Sequence, residues 1–332
     1  MADRLTEYRR KRDAQRTPEP VPARAPEPGR GDTFVIQQHH ARSLHWDLRL
    51  ERDGVLVSWA VPRGLPRDPA RNHLAVHTED HPMEYADFSG EIPAGEYGGG
   101  RMTIYDRGTY TTEKWRDNEV IVVLDGERVC GRYVLFQTRG KDWMIHRMDG
   151  PPPGWTPMPE DLAPMQPTRT AKLPEDDDAW GYELDWPGVR ALAAVSGGRL
   201  RLTPGEHEYP LLRPLGEALA PIECLLDGVV VAFDRAGTVR PPTEADQHYL
   251  AVDLLWLDGV PTLELPYERR RELLAELGIA GPRWQTPPHF PGGGEFALAA
   301  SADQGTPGVL AKRLDSPYQP GRRSRRWLRI SR

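Results

Sequence analysis

The segment FVIQQHHARSLHWDLRLERDG, residues 34–54, collects side chains that bind metals and phosphates. From Leu44 to Leu50 apolar and polar residues alternate. On a strand, Leu44, Trp46, Leu48 and Leu50 therefore share one face, and His45, Asp47 and Arg49 share the other. Residues two apart are spaced about 6.5–7 Å along that face. A solvent-facing strand ordinarily carries Thr, Lys or Glu; a column of imidazole, carboxylate and guanidinium is a different selection. His39 lies one strand or turn earlier and can reach the same place. Two imidazoles and a carboxylate suit Mn²⁺ or Zn²⁺ with open coordination positions. Arg49 then stands where its fork can hold a phosphate. Any one histidine alone reads as a solvated polar residue; the set reads as a site.

A second cluster lies in HLAVHTEDHPMEYADFSGE, residues 73–91, with His73, His77, His81 and Tyr85. His73 and His77 share a strand face, which allows a structural role for either. His81 precedes a proline in a loop-like stretch, where functional groups concentrate. The GEYGGG run at residues 95–100 lacks the GK[ST] of a nucleotide-binding loop, so it reads as a tight turn or a close chain approach.

These residues need a scaffold of strands. The chain has 332 residues, enough for two domains. From Thr33 to about Met148 the runs FVIQQH, LHWDLRL, VLVSWAV, HLAVHT, RMTIYD, GTYTTEKW, EVIVVLDG, RYVLFQT and WMIHRM are short, β-branched or aromatic, and broken by Gly, Pro or Asp. That pattern predicts a small all-β barrel or sandwich over residues 31–150. Before it, residues 1–30 are charged and then Pro-rich, an expected flexible arm. After it, residues 151–170 read as a Pro-rich connector. Residues 171–332 mix strand runs with the helical pattern YERRRELLAELG, stopped at Gly278, and predict an α+β domain.

Composition narrows the chemistry. Seven of ten histidines precede residue 150, and lysine occurs only at 11, 114, 141, 172 and 312. Two cysteines, Cys130 and Cys224, exclude a disulfide scaffold and a cysteine-built zinc site. With no apolar run long enough to span a membrane and no apolar N-terminal signal, a cytoplasmic, nucleoid-associated protein is expected. The net charge of −6 leaves room for local nucleic-acid binding.

The front half closely resembles the 3′-phosphoesterase module of bacterial DNA ligase D, through the 34–54 segment, VLVSWAVPRGLP, LAVHTEDHPMEYADFSGEIPAGEYGGG and WMIHRMDG. The N-terminal LTEYRRKRDAQRTPEP is also typical, and the resemblance covers about residues 5–150. It implies a Mn²⁺-dependent enzyme, possible also with Zn²⁺ or another divalent metal. Such an enzyme removes a terminal ribonucleoside and then a 3′-phosphate from DNA ends, leaving a 3′-OH. Its metal ligands match His39, His45 and Asp47. Its phosphate-contacting positions match Arg49 and His81, Tyr85 fits a further site residue, and Gln37 joins the substrate-binding set. One family lysine is Arg63 here, a family arginine is His73, and the glycine-rich segment is preceded by Ala94 in place of lysine. The implied partners are primer-template 3′ ends and end-joining proteins such as a Ku-like factor, a polymerase and a ligase, with no membrane. His81 is expected either to protonate the leaving oxygen or to bind the phosphate.

The back half resembles the adenylation domain of ATP-dependent DNA ligases over about residues 165–332. The resemblance rests on AWGYELDWPGVRALAAV, ECLLDGVVVAFD, YLAVDLLWLDG and GVLAKRLDSPYQPGRRSRRWLRI. That chemistry needs a lysine amine to carry AMP. In the KxDGxR pattern the lysine falls at Asp185 and the aspartate at Pro187, while Gly188 and Arg190 remain. The DGE glutamate is Val229, and the glutamate of EGxxxK is Pro307, although Lys312 survives. The resemblance therefore implies a degenerate ligase domain with no functional adenylate, expected also to lack the appended OB-fold. The tail GRRSRRWLRISR, six arginines around Trp327, suits contact with phosphates and a base. The alternatives are an active ATP-dependent ligase, opposed by Asp185, and a non-catalytic repair scaffold, opposed by the intact front-half set.

Overall fold

Alternating strands close on themselves in the front half of the computed structural model, which describes residues 3–27, 29–203 and 209–331. The chain divides into two units, residues 1–153 and 154–332. In the first, the strands are β1 (Thr33–His40), β2 (Leu44–Arg52), β3 (Val55–Val61), β4 (Asn72–His77), β5 (His81–Pro82), β6 (Gly90–Ile92), β7 (Gly100–Arg116), β8 (Glu119–Gly126), β9 (Cys130–Arg139) and β10 (Asp142–Arg147). Eight of them form the ring β1-β2-β3-β4-β10-β9-β8-β7, closed by antiparallel pairing of β7 with β1. The short β5 adds to β3 and β6 to β7.

Closure explains the buried polar column. Leu48 and Leu50 are fully buried on one face of β2, yet Asp47 and Arg49 on the other face are buried as well. RMTIYD and GTYTTEKW, the second of which begins at Gly108, form one continuous strand, β7. Gly108 is not a break but a close approach: a Cβ there would lie 2.1 Å from the Asp125 carbonyl oxygen.

The expected flexible arm is instead folded onto the barrel. Helix Thr6–Arg10 buries Tyr8, and Leu5 is buried beside it. The Pro-rich stretch turns back over this helix: Tyr8 Oη donates to the Pro20 carbonyl at 2.8 Å and Arg9 Nε to the Pro22 carbonyl at 2.7 Å. Proline prevented the stretch from being helical, but its free carbonyls serve as acceptors for the helix side chains.

The second unit differs from the expected α+β class, being mostly strands. One sheet runs Gln166–Thr170, Arg323–Ser331, Gly308–Arg313, Trp180–Leu184 and Phe290–Pro291. The other runs Arg199–Thr203, Val189–Ser196, Cys224–Phe233, His248–Leu257, Trp284–Gln285 and Ala280–Gly281. Helices Pro214–Leu219, Tyr267–Glu276 and Gly294–Asp303 are short. The expected helix with its stop at Gly278 is present, and Gly278 has φ 59°. Cys224–Phe233 and His248–Leu257 are buried on both faces, as central strands of a covered sheet are, whereas the edge strand Arg199–Thr203 is not. Part of the expected connector also packs into this unit, where Met165 is buried with Met158 and Leu162 against it.

Candidate metal and phosphate site

Strand register assembles the site. β1 and β2 pair antiparallel, with His39 opposite His45 and Gln37 opposite Asp47. On the next strand Ser58 stands opposite Arg49, and β5 places His81 opposite Leu56. His39, His45 and Asp47 each offer a ligand atom, and these atoms lie within 4.8 Å of one another. Both ring orientations are set by backbone. His39 Nε2 bonds the Gly98 carbonyl at 2.8 Å, which turns Nδ1 toward Asp47 Oδ2 at 3.9 Å. His45 Nδ1 bonds the Ser43 carbonyl at 3.0 Å, which leaves Nε2 facing Asp47 Oδ1 at 3.6 Å. A ring nitrogen that donates to a carbonyl leaves its partner nitrogen with a lone pair, the tautomer that a metal ligand requires. Burial holds His39 below the ordinary imidazole range, against the pull of Asp47, which keeps it neutral. The donor set thus fits a divalent cation.

Arg49 is the centre of the polar column. Its Nη2 donates to Asp47 Oδ2 at 2.8 Å, its Nε to Gln37 Oε1 at 2.7 Å and its Nη1 to Ser58 Oγ at 2.9 Å. Its guanidinium also lies 4.7 Å from the Tyr85 ring centroid. Gln37 in turn donates to the Tyr85 and Phe88 carbonyls at 3.0 and 2.9 Å. Three of the five N–H groups of Arg49 are thereby engaged with Asp47, Gln37 and Ser58.

His81 is buried. Its Nδ1 bonds the Glu79 carbonyl at 2.8 Å and lies 3.3 Å from Ser58 Oγ. Its Nε2 faces Arg12 Nη2 at 3.4 Å. Burial, then the charges of Arg49 and Arg12, hold it well below the usual imidazole range, so the ring is neutral. Tyr85 donates its hydroxyl to Glu19 Oε1 at 2.9 Å. Around them the N-terminal segment supplies an ion network: Arg12 pairs with Glu19 at 2.8 Å and Glu79 at 3.0 Å, and Lys11 with Glu79 at 2.9 Å.

The sequence did not reveal Arg12, Glu19, Ser58 or Glu79. Ser58 had a signal, being the one polar residue in VLVSWAV. Arg12 had none, because it meets Glu79 only through the folded barrel. Of the other expected site residues, Arg63 is exposed after β3, and His73 bonds the Gly64 carbonyl at 2.7 Å. His77 stacks on Trp143 with centroids 5.9 Å apart, a packing role.

In the second unit, Asp185 is buried and its carboxylate meets Arg329 Nε at 3.1 Å. Lys312 is fully buried, 2.9 Å from Glu183 and 3.9 Å from Asp253. Tyr267 donates to Glu183 at 2.6 Å and Arg270 forks onto Asp253 at 2.7 and 3.1 Å. Val229 stands opposite Arg190, which forks onto Asp227. Pro187 lies just before Gly188, whose N–H donates to the Trp186 carbonyl at 3.0 Å.

Comparison with known proteins places both halves. Residues 37–137 match the DNA Ligase D 3′-phosphoesterase domain, and residues 177–330 match the ATP dependent DNA ligase domain. The multifunctional non-homologous end joining DNA repair protein LigD of Mycobacterium tuberculosis is 47% identical over 344 residues, covering 99% of this chain and 45% of that protein. The Pseudomonas aeruginosa LigD is 33% identical over 399 residues, covering 98% of this chain and 47% of that protein. The chain thus spans a little under half the length of the curated relatives it matches. A solved mycobacterial DNA ligase D, complexed with ATP and MES, aligns at 35% identity and a TM-score of 0.46 over 51% of this chain and 60% of that one. Among the described residues no helix is long and apolar enough to cross a membrane.

Proposed function

From a chain that joins a DNA ligase D-type 3′-phosphoesterase domain to an ATP-dependent DNA ligase domain, we propose a divalent-metal phosphoesterase that cleans DNA 3′ ends for end joining. The observation that carries this reading is the His39, His45 and Asp47 set with its ring nitrogens already oriented. These three residues would hold Mn²⁺, or Zn²⁺ in its place. A cation there supplies Lewis-acid polarisation of a phosphoryl oxygen and a more acidic bound water. The chain's own groups do the rest. Arg49 holds the Asp47 carboxylate in place and offers its two remaining N–H groups and its charge to the phosphate. Gln37 and Ser58 keep the guanidinium in its plane. The neutral His81, with Nδ1 on the Glu79 carbonyl and Nε2 facing Arg12, is set to accept a proton or a hydrogen bond and not to protonate the leaving oxygen. Arg63 and His73, linked through Gly64, are assigned to substrate further from the metal.

The test uses purified protein with Mn²⁺, Zn²⁺ or EDTA and a 5′-labelled primer ending in a ribonucleotide or a 3′-phosphate. Shortening or dephosphorylation with metal, lost in EDTA and in His45→Ala, supports the reading. Products that persist in EDTA overturn it.

The ligase half is proposed to be inactive and to serve DNA or partner binding. Asp185 stands at the nucleophile position of the motif, cannot form a phosphoramidate and is paired with Arg329. Lys312 is buried in ion pairs, and Lys172 is exposed outside the motif. Labelled ATP should leave no covalent AMP on the protein; a clear adduct overturns this. End-joining proteins such as a Ku-like factor, a polymerase and a ligase are the partner class that suits this reading.

A further inference from the structure

The glycine-rich turn GEYGGG carries one large aromatic residue, Tyr97, which is 47% exposed. The turn is tightly determined. Gly95, Gly98 and Gly100 have φ of 95°, 76° and 142°, and a Cβ on Gly100 would lie 2.2 Å from the His40 carbonyl oxygen. The residue after Tyr97 is Gly98, whose carbonyl orients the metal-ligand candidate His39. Tyr97 is therefore anchored next to the residue that orients His39. On its other side the ring meets cations. Lys11 Nζ lies 4.7 Å from the centroid and 3.2 Å from the hydroxyl, and Arg12 lies 5.3 Å from the centroid. The hydroxyl is 3.5 Å from Glu79, whose carbonyl holds His81. The turn thus reaches His39 through the Gly98 carbonyl and the tyrosine hydroxyl reaches Glu79, the residue whose carbonyl holds His81, while the side chain remains open to solvent. Exposed Arg42, in the turn between β1 and β2, and Arg101, opposite His40, add positive charge at the same end of the barrel.

An aromatic ring held rigidly beside a phosphoryl-transfer site, backed by cations and open to solvent, matches the platforms on which nucleobases stack. We propose that Tyr97 stacks the base of the nucleotide at the DNA 3′ end and so sets that terminus over His39, His45 and Asp47. This rests on the 3′-phosphoesterase reading of the site. It predicts a base-dependent contact that tolerates any base, because every base offers a π-face.

The test compares two 5′-labelled primer-templates with 3′-phosphate ends, one with a normal terminal nucleotide and one whose terminal nucleotide lacks a base. Tyr97→Ala should lose about tenfold in kcat/KM on the normal end, through KM, and change little on the baseless end. Tyr97→Phe, which keeps the ring and loses the hydroxyl contacts to Lys11 and Glu79, should stay near the unsubstituted protein. No loss in Tyr97→Ala, or an equal loss on both ends, overturns the stacking role. Binding is read separately with 2-aminopurine at the 3′ terminus, whose fluorescence should be quenched by the unsubstituted protein and not by Tyr97→Ala. If the unsubstituted protein quenches but does not react, the phosphoesterase reading fails and the stacking platform stands. If it reacts without quenching, the platform fails alone.

Discussion

Arg49 donates to Asp47 at 2.8 Å through the same carboxylate oxygen that faces His39 Nδ1 at 3.9 Å. One charge on β2 thus sets the position of a metal-ligand candidate two residues earlier on the same strand. Arg49→Lys keeps the charge but cannot bond Asp47, Gln37 and Ser58 in one plane. We expect loss of most 3′-end activity and a stability loss of about 1–3 kcal/mol from the acceptors left unbonded. Urea unfolding and the primer assay read the two effects. Unchanged activity in Arg49→Lys would show that only the charge matters.

Removing a metal ligand should cost more than removing a group behind one, which typically lowers metal affinity about 10–100-fold. His45→Ala and Asp47→Asn are therefore expected to weaken Mn²⁺ binding beyond that range by calorimetry, with activity falling in parallel. Mn²⁺ binding at full strength in both variants would remove the assignment.

Arg12 is nearly buried and meets two carboxylates that are also buried, Glu19 and Glu79. Arg12→Ala leaves Glu19 without its cation and Glu79 with Lys11 alone, and breaking a buried pair from one side costs about 3–5 kcal/mol. Hydrogen exchange should rise in residues 3–27 and around His81. A variant as stable as the parent would mean that the N-terminal segment packs without this network.

Acid should weaken the first unit. Burial holds His77 and His81 below the ordinary value of 6.5. A histidine buried neutral takes up its proton more readily in the unfolded chain. Its contribution is therefore complete above pH 6.5 and is lost as pH falls below it. Unfolding midpoints measured between pH 8 and pH 5 should drop on the acid side, and the drop should be shallower in His81→Asn. An equal slope would place the titration elsewhere.

In the second unit Lys312 lies between Glu183 and Asp253 with none of the three exposed. Burial lowers its affinity for a proton, while the two carboxylates oppose that effect. Lys312→Met should destabilise the unit by about 3–5 kcal/mol, because Glu183 stays buried without its nearest cation while Arg270 still holds Asp253. Lys312→Met with Glu183→Gln should recover much of the loss. A double variant no better than the single would show that Lys312 acts through packing on the Trp327 ring, 4.2 Å away.

Much of this was written in the order of residues. Alternation along Leu44–Leu50 identifies β2 and its two faces, because side chains on a strand alternate whatever it packs against. The His39, His45 and Asp47 set is legible for the same reason: a hairpin places residues a few positions apart directly opposite one another. The helix at Tyr267–Glu276 and its glycine stop are equally local. Long-range pairing is not local. That β7 closes on β1, that the polar face of β2 is buried, and that Arg12 of the charged N-terminal stretch lies against His81 all depend on contacts between distant residues. The prolines of RTPEPVPARAPEPGR speak of poor helix formation there, which is a property of the backbone alone. Whether such a segment stays free depends on the partners that the folded barrel offers its side chains, and here Glu79 and His81 offered Arg12 a place.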